Sequence, residues 1–155
     1  MSAAQPTVKQ IWQWLEQIPD PEIPVISIVD LGVVRDVCLQ GNNVNVVITP
    51  TYSGCPAMRE IAESITTELT DHGIEHFNLE TRIAPAWTTD WMSDEGRTKL
   101  EAYGIATPQA NGGPKHCPQC KSTTVEKISQ FGSTPCKAQW RCLDCLEPFE
   151  YFKCI

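Results

Sequence analysis

VNVVITPTYSGCPAMREI, residues 44–61, decides the fold. Its first six residues are dominated by β-branched side chains and predict a strand. Beyond Pro56, the residues Met58, Ile61, Ala62, Ile65 and Leu69 recur at helical intervals, and Gly73 closes the run. A strand therefore feeds a helix through the short loop that holds Cys55. Proline suits the first helical turn, which makes Pro56 the N1 residue and Cys55 the N-cap. A sulfur in that place lies near unpaired amide N–H groups at the positive end of the helix dipole, which favours thiolate. Three readings of Cys55 follow: an inert buried cysteine, a nucleophile, or a metal ligand. A Cys–His nucleophile is poorly supported, because His72 and His76 fall at and beyond the far end of the same helix.

Reading outward toward the N-terminus, LGVVRDVCL predicts a first strand and QGNN a turn, giving a hairpin with VNVVIT. Cys38 on that first strand reads as core. Val8, Ile11, Trp12, Leu15 and Ile18 form one helical face, with Thr7 as cap and Pro19 as stop. Toward the C-terminus, HFNLETRI predicts a third strand. SDEGRTKLEAYG predicts a short helix, capped by Ser93 and stopped by Gly104. The order α-β-β-α-β-α implies an α+β class, with helices layered on a three- or four-stranded sheet over residues 1–104. Trp87 and Trp91 are four apart and could share a packed face. Asp20, Glu22 and Asp30 read as a solvated, capped loop on spacing alone.

Residues 105–116, rich in Gly, Pro and small polar side chains, read as a linker. The remaining stretch, 117–155, holds six of the eight cysteines. Cys117-Pro-Gln-Cys120 and Cys142-Leu-Asp-Cys145 are two C-x-x-C knuckles with 21 residues between them. Four thiolates so arranged suit tetrahedral zinc, and TTVEKISQF, AQWR and PFEYF supply the strands of a zinc ribbon. An iron–sulfur cluster takes the same ligand set, so spacing leaves both open. Cys136 is a further candidate ligand, and Cys154 shares its two readings, ligand or small apolar residue at a strand end.

The composition of the 155-residue chain is 41% hydrophobic and 20% charged, as expected for a globular protein. No apolar run is long enough for a bilayer, and the N-terminus lacks the pattern of a signal peptide, so a cytoplasmic location is expected. In that reducing setting, eight cysteines point to metal chemistry before disulfides. Residues 1–114 hold 6 Lys+Arg against 15 Asp+Glu, and residues 115–155 hold 6 against 4. An acidic body disfavours nucleic acid as a partner, and neither a nucleic acid nor a membrane is expected.

DPEIP (20–24), DLGVVRDV (30–37) and T-x-x-x-C-P (51–56) give the body a resemblance to the SufT-like iron–sulfur assembly family. That resemblance implies a site at Cys55, with Asp20 and Glu22 as its acidic neighbours, that takes iron or an iron–sulfur cluster transiently. PAWTTDWMSDEGRTKLEAYGIA (85–106), FGSTPCKAQWRC (131–142) and EPFEYFKCI (147–155) resemble the phenylacetate-degradation PaaD (PaaJ) family across nearly the whole chain. The implied role is an accessory component of the ring-epoxidising phenylacetyl-CoA monooxygenase. It would assist iron–sulfur or di-iron centre assembly, with the oxygenase or reductase subunits as partners. Because the family's FGST-x-C-K stretch includes Cys136, the ligand and apolar readings of that cysteine stand level. A homodimer is compatible with the pattern. Two other functions remain: an electron-transfer subunit with a cluster on the four cysteines, and a structural zinc-ribbon binding module. An oxygenase role is disfavoured, since no E-x-x-H pair exists for a di-iron site and no G-x-G-x-x-G loop for a nucleotide.

Overall fold

In the computed structural model, which describes residues 4–52, 54–109 and 112–153, the chain falls into two units, residues 1–87 and 88–155. The first begins with α1 (Val8–Leu15). The Thr7 hydroxyl accepts the Gln10 N–H at 3.1 Å, and the Gln10 side chain accepts the Thr7 N–H at 2.9 Å, a complete capping box. β1 (Val34–Gln40) and β2 (Asn43–Ile48) form an antiparallel hairpin. Its turn uses Gly41 at φ +62°, a conformation that costs glycine nothing.

From β2 the chain passes through α2 (Ala57–Asp71) to β3 (Phe77–Thr81), which pairs parallel to β2. Parallel neighbours need such a crossover, so α2 covers the sheet that it connects. The sheet order is β1-β2-β3, three strands in all. Ile11 and Leu15 of α1, Ile61, Ile65 and Leu69 of α2, and Val46 and Ile48 of β2 are all buried. These are the positions that the helical and alternating patterns assign to the inside. Trp87 ends this unit, buried, with its indole N–H donating to the Leu31 carbonyl at 2.9 Å. Trp91 belongs to the second unit, half-buried in a 3-10 turn (Thr89–Trp91), so the two tryptophans do not form one face of a helix. Cys38 on β1 is half-buried, less enclosed than a core residue.

The second unit opens with α3 (Asp94–Tyr103). Ser93 Oγ accepts the Gly96 N–H at 2.9 Å, and Gly104 ends the helix in the left-handed conformation. Next come β4 (Ile105–Ala106), β5 (Val125–Ser129), β6 (Lys137–Cys142) and β7 (Pro148–Phe152), ordered β4-β7-β6-β5 in one sheet. The stretch expected as a linker, 105–116, therefore starts with a strand, β4, paired parallel to β7. The helix α3, expected within residues 1–104, falls in the unit of residues 88–155. Two residues are too few to show a strand period, and their pairing is with residues far along the chain. Among the described residues, no helix is long and apolar enough to cross a membrane.

Candidate metal centre

Two turns bring the knuckle cysteines together. In the first, the Lys121 N–H donates to the Cys117 carbonyl at 2.9 Å and the Cys117 N–H to the Ser122 carbonyl at 2.8 Å. In the second, the Cys142 N–H donates to the Glu147 carbonyl at 3.0 Å. Each turn closes on a residue in the left-handed region just past its second cysteine: Lys121 at φ +66° and Leu146 at φ +64°. Glycine would take that conformation without strain, and each side chain here costs about 1 kcal/mol. The Ser122 hydroxyl donates to the Asp144 carboxylate and ties one knuckle to the other.

The four sulfurs lie within 4.8 Å of one another, with Cys120 to Cys142 at 3.5 Å and Cys117 to Cys145 at 3.8 Å. A tetrahedral ion with metal–sulfur bonds of about 2.3 Å sets its ligand sulfurs about 3.8 Å apart, so the donor set fits one such ion. Backbone amides support it: the Gln119 N–H donates to Cys117 Sγ and the Cys145 N–H to Cys142 Sγ, each at 3.4 Å. The Cys145 N–H is the main reason that the Cys142 thiol is held down, at about 7. At Cys145, the Glu147 N–H acts in the same direction, but desolvation and the neighbouring thiols outweigh it and push the group up to about 12. Four crowded thiols cannot all ionise unaided; a cation among them makes it possible.

Each knuckle contributes one buried sulfur, Cys117 or Cys142, and one on an exposed residue, Cys120 or Cys145. The buried pair packs with Ala106, Phe149 and Tyr151, and Val125 and Trp140 border the same cluster. From α3, Glu101 accepts from Lys121 at 2.8 Å and pairs with His116, gripping the first knuckle on both flanks. The Lys121 hydrogen bond, followed by that of His116, holds the Glu101 carboxyl below its usual range.

Cys136 is not one of the four sulfurs grouped here; it is buried, with its sulfur 3.0 Å from Thr134 Oγ1. Its loop, FGSTPC, is built around Glu150 instead. The Ser133 N–H donates to that carboxylate at 2.8 Å and the Ser133 hydroxyl at 2.9 Å, with the buried Lys137 ammonium 3.7 Å away. A Cβ on Gly132 would stand 2.3 Å from Glu150 Oε2, so a side chain there would make that carboxylate shift. Cys154 lies outside the described residues.

In the first unit, Asp20 is buried and its Oδ1 accepts the N–H groups of Glu22 and Ile23, both at 2.9 Å. That oxygen shapes the DPEIP loop. Glu22, half-buried, lies 3.4 Å from the Tyr52 hydroxyl, and the Tyr52 carbonyl accepts the Cys55 N–H at 3.3 Å. Tyr52 thus bridges Glu22 and the Cys55 loop, a role that spacing alone did not reveal. Its signal was its place within T-x-x-x-C-P, directly after Thr51. Cys55 is half-buried, and Gly54 before it takes φ +76°. The N-cap of α2 is Pro56, with no side-chain cap, so Cys55 stands one residue further out than expected and its sulfur does not cap the helix.

Comparisons with known proteins match both units. A family model described as an iron–sulfur cluster assembly protein matches residues 9–73, and one described as the PaaD zinc beta ribbon domain matches residues 105–153. The Bacillus subtilis Fe-S protein maturation auxiliary factor YitW is 38% identical over 89 residues, 56% of this chain and 85% of that protein. A Bacillus anthracis domain of unknown function (DUF59) is similar in structure, with TM-score 0.56 and 27% identity, over 60% of this chain and 90% of its own. A conserved hypothetical protein from Thermotoga maritima gives TM-score 0.55 and 27% identity, over 64% of this chain and 98% of its own. An Escherichia coli protein provisionally named as a subunit of 1,2-phenylacetyl-CoA epoxidase is 47% identical over 158 aligned residues, 98% of this chain and 96% of that protein. With similarity of that extent running through body and ribbon alike, the chain belongs to the PaaD-like family.

Proposed function

We propose that the chain is an accessory, maturation component of a phenylacetyl-CoA epoxidase system, and that it handles iron or an iron–sulfur cluster as cargo at Cys55. The observation that supports this reading is the Glu22–Tyr52–Cys55 connection, in which Tyr52 meets the Glu22 carboxylate through its hydroxyl and the Cys55 backbone N–H through its carbonyl. Cargo needs a ligand that both holds and releases, and one thiolate with a nearby oxygen donor suits that better than four thiolates. Similarity of the body to a maturation auxiliary factor supports the same role. Asp20 contributes by shaping the loop that presents Glu22. The expected partners are the oxygenase or reductase subunits, and the protein is not expected to turn over substrate by itself.

In this reading the four-cysteine centre holds one structural zinc. Zinc supplies no redox chemistry there; it fixes the two knuckles and completes the ribbon core. A multi-iron cluster places iron and sulfide between the cysteine sulfurs and needs more separation than this geometry provides. That argues against the electron-transfer alternative. A purely structural binding module would leave the Cys55 loop without a task.

The test is Cys55→Ser, expressed together with the oxygenase and reductase subunits. We expect a fall of at least about tenfold in epoxidase activity, with matching loss of iron from a client subunit. Full iron and full activity would sink the cargo role. Separately, colourless protein with one zinc per chain is expected on anaerobic purification, and a brown protein would overturn the zinc assignment.

A further inference from the structure

A second feature of the ribbon unit lies outside the four-cysteine group, although its aromatic wall borders the same core. Over the face of the sheet that carries Trp140 and Tyr151 lies a recess of about 160 Å³. Ala138, Trp140 and Tyr151 line it, together with Gly112 and the side of Lys127, Gln130 and Lys153. The two aromatic rings meet edge to face, with centroids 6.1 Å apart and planes at 78°. They offer a rigid, flat apolar wall.

Among the described residues the cations around the recess face no carboxylate, and the Lys153 ammonium lies 4.4 Å over the Phe131 ring. Elsewhere in this unit, Lys99, Lys121, Lys137 and Arg141 each face a carboxylate. Lys127 and Lys153 have no ion-pair partner among the described residues. The Lys127 ammonium donates to Gln130 Oε1 and that of Lys153 to the Gln130 carbonyl, both at 3.0 Å. No acidic residue is among the described residues that line the recess. Trp140, one of the lining residues, also carries an unfilled donor: its Nε1 is buried and has no hydrogen-bond partner among the described residues. The Tyr151 hydroxyl, by contrast, is engaged by Gln109 through both its N–H and its carbonyl. Buried donors are normally paired, so the indole N–H calls for an acceptor.

We propose that this recess binds a small carboxylate with a flat apolar body. The anion would sit with Lys127, Lys153 and the indole N–H, and the body against Trp140 and Tyr151. Two cations without carboxylate partners, one unsatisfied donor and an aromatic wall are complementary to that ligand class and to few others. The proposal does not depend on the role of Cys55.

The test uses the full zinc-loaded chain with 15N-labelled tryptophan. Of its 5 indole N–H resonances, that of Trp140 is assigned by its loss in Trp140→Phe. Benzoate at constant ionic strength should move the Trp140 resonance saturably, and acetate should move it more weakly for want of an apolar body. Lys127→Ala combined with Lys153→Ala should weaken benzoate binding about tenfold or more, the loss of two charge-assisted contacts. Retained zinc and unchanged positions of the other four indole resonances show that this double variant is folded. A Trp140 resonance unmoved by benzoate overturns the proposal, as does equal binding by the double variant. Movement with an aspartate-rich peptide but not with benzoate overturns it too, since the recess would then read a protein side chain.

Discussion

The two units reach a stable fold by different means. Residues 1–87 bury an aliphatic core in which Ile11, Leu15, Val46, Ile48, Ile61, Ile65 and Leu69 are almost wholly enclosed. Hydrophobic burial there is distributed, and no single atom is indispensable. In residues 88–155, the ribbon core is Ala106, Phe149 and Tyr151 packed around two of the metal-binding cysteines. So small a core cannot offset the entropy of ordering its loops, and the ion closes the difference. Charge divides the same way. Residues 1–87 hold 4 Lys+Arg against 11 Asp+Glu, whereas residues 88–155 hold 8 against 8. The contrast implies that a chelator should cost the second unit its order and leave that of the first.

Removing the metal should produce the largest effect. Chelation, or Cys142→Ser, should collapse the amide dispersion of the ribbon, because structural zinc is worth about 10–16 kcal/mol in comparable small modules. The resonances of residues 4–87 should persist. Global unfolding under chelation would break the contrast between the units. Next comes Ile65→Ala, at a position of no exposure, expected to cost the first unit about 3 kcal/mol in denaturant melts while zinc content is unchanged. Third, Glu150→Ala strips the FGSTPC loop of its anchor and leaves the buried Lys137 without its carboxylate. A loss of about 2 kcal/mol is expected in the ribbon unit alone, read by local hydrogen exchange.

The smallest effect should be that of Glu101→Gln. The pair side chains are partly exposed, so solvent and salt reduce their worth to about 0.5 kcal/mol. The sign follows from the lowered carboxyl. Its stabilisation is present above the unfolded carboxylate range and is lost as pH falls through the depressed folded value. Thermal melts of the ribbon unit should therefore differ between wild type and Glu101→Gln at pH 7 in low salt and converge in strong acid.

Much of this was legible in the sequence because it is local. Thr7 and Ser93 as caps, Gly104 as stop, the hairpin at Gly41 and both knuckles each depend on a few neighbouring residues. What was not legible is non-local. β4 exists only through β7, and Tyr52 matters through Glu22, thirty residues earlier. Glu150 organises a loop whose serine is seventeen residues away. The placement of Cys55 failed differently: Pro56 was assigned to N1 from preference, whereas it occupies the cap itself. One residue of shift moved the sulfur off the helix end. The bonds from Asp20 Oδ1 to the backbone amides two and three residues on were not legible in spacing either.

The alternation of buried and exposed cysteines gives the four-sulfur group an inside and an outside. For an ion held there, Cys120 and Cys145 would be the ligands that solvent reaches, while Cys117 and Cys142 stay packed with Phe149 and Tyr151. A competing chelator could then attack the outward pair without first opening the core. Such an ion would stitch the ribbon together and would also be the thread that can be pulled from outside.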